Sequence, residues 1–175
     1  KEYCGIFGIF NADNAANHIY LGLHALQHRG QESAGIVTSV FDEAKERKTM
    51  PAHKGDGLVL DVFKDPSIFT TKLLGTSGIG HNRYSTSGAS DNRANIQPFV
   101  VRYRDGNLAL AHNGNLSNAR ELRTTFNERG TLFSSTSDTE LILHLIAQST
   151  RRQQIDKIID ALTQVEGAFC LGILT

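Results

Sequence analysis

A chain of 175 residues, 39% of them hydrophobic, has the size at which one domain closes around a substantial core. Its 18 basic and 18 acidic residues cancel, so no global field would draw it to nucleic acid or to an anionic membrane, and neither is expected as a partner. No apolar run approaches the roughly 20 residues that cross a bilayer, no secretory signal opens the chain, and Cys4 and Cys170 fit neither a disulfide framework nor a paired zinc motif. A soluble protein of a reducing compartment is expected.

Cys4 to Phe10 is a short apolar run rich in β-formers, and Ala34 to Val40 resembles it, so both read as buried strands. Between them Ala15, Ile19, Leu23 and Leu26 recur at helical spacing, and the helix is predicted to stop before Gly30 on a left-handed cap. Phe41 to Thr49 is charged enough to be a solvated hairpin or surface insertion, followed by a strand at Pro51 to Lys54. Strands are predicted at Gly78 to Tyr84, Gln97 to Arg102 and Leu108 to Asn113, with the polar stretch Ser85 to Asn95 as a mobile loop.

Asn118 to Glu128 has helical spacing, and Ser137 with Glu140 reads as a capping box opening a helix over Asp138 to Gln148. Ile155, Ile158, Ile159 and Leu162 mark one face of another helix, and a strand from Ala168 to Thr175 closes the chain. Runs of strands and helices without strict alternation or repeats favour a layered α+β fold over a doubly wound parallel sheet. A chain ending on a core strand suggests a fragment.

Several residues carry potential chemistry. Cys4 stands three residues from the start, where removal of Lys1 to Tyr3 would expose an α-amine beside the thiol. An amine of pKa about 8 is a fitting base for a thiol of pKa about 8.5. His112-Asn113-Gly114-Asn115 follows a predicted strand, and a glycine flanked by amides would aim a main-chain N–H and an Asn N–H at one spot, as an oxyanion hole requires. The planar fork of Arg83, beside the hydroxyl-rich Ser85 to Gly88, suits a carboxylate. Asp138, at a helix start, suits an ammonium. Each also has a plain reading: a buried small hydrophobe, a turn, a surface ion pair, and a residue favoured by the helix dipole. Arg29 and Gly30 read equally well as a helix terminus.

Taken in order, Cys4-Gly5-Ile6-Phe7-Gly8, His28-Arg29-Gly30, His81-Asn82-Arg83-Tyr84, His112-Asn113-Gly114-Asn115 and Ser137-Asp138-Thr139-Glu140 resemble the motifs of class II glutamine amidotransferases. Residues 26–35, 53–59 and 96–99 are most similar to the branch that passes ammonia to phosphoribosyl pyrophosphate in purine synthesis. Glucosamine-6-phosphate synthase, with a tyrosine before Arg-Gly and a tryptophan after the arginine, fits less well, as does asparagine synthetase with its Pro-Asp where Gln31-Glu32 stands here.

The resemblance implies an N-terminal-nucleophile hydrolase fold, a four-layer αββα sandwich of mostly antiparallel sheets. It implies Cys4 as nucleophile through a thioester, and Asn113 with the Gly114 N–H as oxyanion hole. Arg83, Thr86 and the Arg29-Gly30 loop would hold the glutamine carboxylate, and Asp138 its ammonium. Residues 1–175 would form the glutaminase domain, with a phosphoribosyltransferase domain following Thr175. Magnesium, and in some members a four-iron cluster, would belong to that later domain, leaving no cofactor in this chain. A homo-oligomer is expected, in the cytoplasm or in a plant plastid. Family members expose the cysteine as residue one, so Lys1 to Tyr3, if retained, would leave a blocked glutamine-binding domain.

Overall fold

The structure is a computed structural model that describes residues 4–84 and 93–175. Its first sheet is built from β1 (Gly5–Ile9), β2 (Ser33–Asp42), β3 (Arg47–Thr49), β4 (Ala52–Asp56) and β5 (Ser77–Arg83). All pairings are antiparallel: β5 lies between β1 and β2, and the far edge of β2 is shared by β4 along Ser33–Val37 and β3 along Val40–Asp42. The charged segment after Val40 is thus the hairpin its composition suggested. The second sheet is β6 (Phe99–Tyr103), β7 (Gly106–Leu116) and β8 (Gly167–Leu174), also antiparallel, with β7 central.

Side chains alternate faces along a strand, and here the two faces of each sheet meet different layers. On the first sheet, Phe7, Ile9 and Ile36 pack with Ile19 and Leu23 of α1 (Ala15–Ala25) and Val59 of α2 (Val59–Val62). On the second, Leu108 and Leu110 pack with Leu141, Ile142 and Ile146 of α5 (Asp138–Gln148), with Phe126 of α4 (Ala119–Glu128) and with Ile158 of α6 (Gln154–Leu162). Between the sheets a thinner cluster joins Ile6, Val37 and Ile79 to Ala109 and Ala111. The layers run helix, sheet, sheet, helix, as an αββα sandwich. Small residues bring them close: at Gly80, an added Cβ would sit 2.4 Å from Ile19 of α1.

Several local expectations are corrected. Gly30 does not provide a left-handed cap. Helix α1 ends at Ala25, a 3-10 turn follows at Gln27–Arg29, and Gly30 is extended at φ −157°. Glycine is required there by crowding, because a Cβ would meet the Asn82 carbonyl carbon at 2.7 Å. The capping box is not closed: Ser137 Oγ accepts from the Thr139 N–H, while the Glu140 carboxylate turns back to the N–H and hydroxyl groups of Ser134 and Ser135. Burial alone would raise the Glu140 pKa, but those four hydrogen bonds hold it below the usual range.

On α6 the buried stripe is Ile158 and Ala161 with Lys157, which pairs with Asp105; Ile155 and Ile159 face out. Residues 57–76, which carry no clear period, hold α2 and a second short helix, α3 (Ile68–Thr71). Of the polar stretch expected to be a mobile loop, residues 85–92, Thr86 among them, lie outside the described residues. Arg93–Asn95 form a 3-10 turn with Asn95 buried. Among the described residues no helix is long and apolar enough to cross a membrane.

His81 shares the inter-sheet face of β5 with Ile79 and is 1% exposed. Burial lowers its pKa to about 3, helped by the charges of His112 and Arg83 and opposed in part by the His112 backbone. An unfolded histidine takes up a proton near pH 6.5, whereas folded His81 does so only near 3. Stability is therefore full above about pH 6.5 and falls as the pH drops towards 3, by at most about 1.4 kcal/mol per pH unit for this group. Urea titrations at about pH 7 and pH 5 should show the fall, and His81→Asn should reduce it, the buried His112 and His144 still contributing with the same sign.

Candidate functional site

The alternation that separates the core layers also sorts the polar residues. On β1, Ile6 faces the second sheet, so Cys4, two residues earlier, faces it too. On β5 the same parity carries from Ile79 through His81 to Arg83, and on β7 from Ala109 and Ala111 to Asn113. The β1–β5 ladder ends at Gly5 against Asn82, which leaves Cys4 alongside Arg83 at the strand ends. Three expected residues thus meet at one mouth of the inter-sheet layer.

Hydrogen bonds close the arrangement. Asn113 Nδ2 donates to the Cys4 carbonyl at 2.9 Å, and Arg29 Nε donates to the same oxygen at 3.1 Å. Cys4 is 8% exposed, and among the described residues neither cysteine is in a disulfide. The Arg29 loop is carried against β5 by Gly30 and locked by Gln27, whose Oε1 accepts from the Val59 N–H at 2.7 Å and whose Nε2 reaches the Gly30 carbonyl. Asn82, on the helix-facing side of β5, donates to the Leu23 and Leu26 carbonyls at 3.3 and 3.0 Å and so ties the end of α1 down. Gly5 leaves room for it, since a Cβ there would lie 2.3 Å from Asn82 Oδ1. Gln27 and Asn82 lie within the family-like stretches of sequence but had no role assigned there, because polar side chains that bind main chain leave no spacing pattern.

The His112-Asn113-Gly114-Asn115 segment does not follow a strand but lies inside β7, paired with Leu171, Cys170, Phe169 and Ala168 of β8. Gly114 has φ +134°, and a Cβ there would meet the Ala168 oxygen at 2.3 Å, so only glycine fits. The pair expected to hold an oxyanion therefore sits on a sheet strand rather than a turn. Arg83 faces the Glu32 carboxylate at 3.8 Å, an ion pair with both side chains partly exposed. Asp138 opens α5, and its Oδ2 accepts from the Leu116 N–H at 3.4 Å, which places it at the end of β7 two residues beyond Gly114. His112 points to the helix side, where burial lowers its pKa and Asp138 opposes the shift. Among the described residues no cluster of three His, Cys, Asp or Glu side chains comes together as metal ligands would.

Such an arrangement suits acyl transfer: a thiol at the end of a strand, an amide donor within a residue of it, and a guanidinium whose carboxylate partner could be exchanged for another. Comparison with known proteins agrees. Residues 81–175 match a family model described as a glutamine amidotransferase domain. The whole chain is 46% identical to an amidophosphoribosyltransferase of Arabidopsis thaliana named as chloroplastic, covering 30% of that protein. It is 44% identical, again over its full length, to an amidophosphoribosyltransferase of Lacticaseibacillus casei, of which it covers 86%. The solved glutamine phosphoribosylpyrophosphate amidotransferase of B. subtilis superposes with a TM-score of 0.85 at 40% identity, over 97% of this chain and 35% of that one.

The crowding at Gly30 is testable against a roomier glycine. Gly30→Ala would press on main-chain atoms of Asn82 and Arg83 at 2.7 and 2.9 Å and should destabilise by about 1–3 kcal/mol. At Gly8 the nearest atom to an added Cβ is Ile79 Cγ2 at 3.6 Å, so Gly8→Ala should change stability by less than about 0.5 kcal/mol. Urea midpoints of the two variants decide the point.

Proposed function

Because this chain belongs to the glutamine amidotransferase family, we propose that it hydrolyses the side-chain amide of glutamine at Cys4 and supplies the ammonia for transfer to phosphoribosyl pyrophosphate. The observation that carries the reading is the convergence of Asn113 and Arg29 on the Cys4 carbonyl, with Arg83 alongside.

With the amino terminus at Cys4, the thiol proton passes to the residue's own α-amine as Sγ adds to the carboxamide carbon. Charge gathers on the amide oxygen. Asn113 Nδ2 carries two protons; one is directed at Cys4 O, and the other can face the oxyanion together with the Gly114 N–H. Collapse breaks the C–N bond, the amine returns its proton to the leaving nitrogen, and ammonia departs. A glutamyl thioester remains on Cys4. Water then adds to it, giving glutamate and the free thiol.

Arg83 would release Glu32 and take the α-carboxylate of glutamine in its fork, with the Arg29-Gly30 loop, and with Thr86, which lies outside the described residues. Asp138 would pair with the α-ammonium. The chain spans about a third of the Arabidopsis relative, and the transferase half, with its magnesium and any iron–sulfur cluster, would lie in sequence like that of the longer relatives. In a plant the plastid would be the setting, in a bacterium the cytoplasm.

Treatment with a glutamine-mimicking diazoketone followed by peptide mapping tests the assignment. The expected product begins at Cys4 and carries the label there. Label on Cys170, or turnover retained in Cys4→Ala, would sink it. Protein that still begins at Lys1 and takes no label would be the blocked glutamine-binding form. Asn113→Ala should lower kcat/KM by about 100-fold, near 3 kcal/mol, the usual loss for one oxyanion donor. Arg83→Ala should weaken glutamine binding at least about tenfold by calorimetry.

A further inference from the structure

The β6–β7 ladder stops with Phe99 against Leu110. Continued two residues, its register would set Gln97 against His112. The main chain does not make that pairing; the Gln97 side chain does. Its Oε1 accepts from the His112 N–H at 2.6 Å, and its Nε2 donates to the His112 carbonyl at 3.2 Å. A primary amide presents the same acceptor and donor as a peptide group, so the side chain substitutes for the missing strand at the residue before Asn113. Gly114 follows two residues on, past the end of the β6 ladder.

The other end of this link is anchored in the first sheet. The Gln97 carbonyl lies over Gly35 of β2, where a Cβ would approach it to 2.2 Å. Lys54 of β4 donates from Nζ to the carbonyls on either side, Ile96 at 2.8 Å and Pro98 at 3.3 Å. Gln97 is itself 7% exposed. One residue thus joins the sheet that carries Cys4 to the strand that carries Asn113, beside the point where the two must meet.

We propose that Gln97 is a positioning residue for the glutaminase reaction, acting through His112 to hold the Asn113 and Gly114 donors at a fixed distance from Cys4; this rests on the function proposed above. Its side chain touches no reacting atom. Losing the link lets the donors drift, which affects the transition state more than the bound substrate.

The test uses Gln97→Met, close in volume but without the amide, in protein whose terminus is at Cys4. We expect kcat to fall about 10- to 100-fold with the glutamine KM within about twofold, and the His112 amide to lose protection from hydrogen exchange. A remote core variant, Ile158→Val, serves as the comparison for stability alone. If it lowers kcat as much as Gln97→Met does at a similar loss of Tm, or if Gln97→Met changes KM and not kcat, the positioning role is overturned. Unchanged exchange at His112 overturns the link itself. Absence of turnover in the wild type would instead defeat the glutaminase reading, and exchange would still decide whether Gln97 pins β7.

Discussion

The hydrogen bond from Asn113 Nδ2 to the Cys4 carbonyl is the constraint around which the rest is arranged, because it spans the gap between two sheets from residues 109 positions apart. For it to form, the sheets must approach closely at that end, and the residues there are chosen accordingly. Ala109 and Ala111 are the inward residues of β7, while Gly35 admits the Gln97 main chain to the same layer. Ile6, Val37 and Ile79 fill the rest of that layer, while Phe7 and Ile36 on one sheet and Leu108 and Leu110 on the other point away to the helices. Hydrophobic burial is thus concentrated in the two outer layers, and the inner layer is thin enough for polar side chains to bridge it.

A thin inner layer also explains the polar character of its mouth. His81 is held neutral by burial, so it adds no charge beside Arg83, whose guanidinium faces Glu32. Asn82 and Gln27 bond to main chain rather than to one another, fixing the end of α1 and the Arg29 loop. Glycine at 5, 30 and 114 removes the Cβ atoms that would force these segments apart. The result is a set of donors held by the scaffold before any substrate arrives, as the oxyanion stabilisation proposed for Asn113 and Gly114 would demand.

Most elements were legible because their periods are strong. Ile19 and Leu23 mark α1, and the alternation of Leu108, Leu110 and His112 against Ala109, Ala111 and Asn113 is that of a strand with two different buried faces. Failures fell where local chemistry had a second partner in space. Glu140 has the spacing of a capping box, but Ser134 and Ser135 lie close enough to take it. Gly30 has the position of a helix cap, but β5 passes behind it. Ile155 and Ile159 have helical spacing, yet nothing in the described residues covers them, and Lys157 is buried instead because Asp105 meets it.

By itself the sequence determined the kinds of residue available for chemistry, their order, the layered α+β class and, through five ordered motifs, the family, whose resemblance implied antiparallel sheets. Each of these is written in short windows of chain, where strand and helix periods and motif spacings are local quantities. Tertiary structure alone decided that Cys4, Arg83 and Asn113 open into one inter-sheet layer, that Asn113 and Arg29 both reach the Cys4 carbonyl, and that Gln97 stands in for a strand beside His112. Those contacts join residues 15 to 109 positions apart. They depend on sheet register and on how closely two layers pack, and neither is encoded within any one window of the chain.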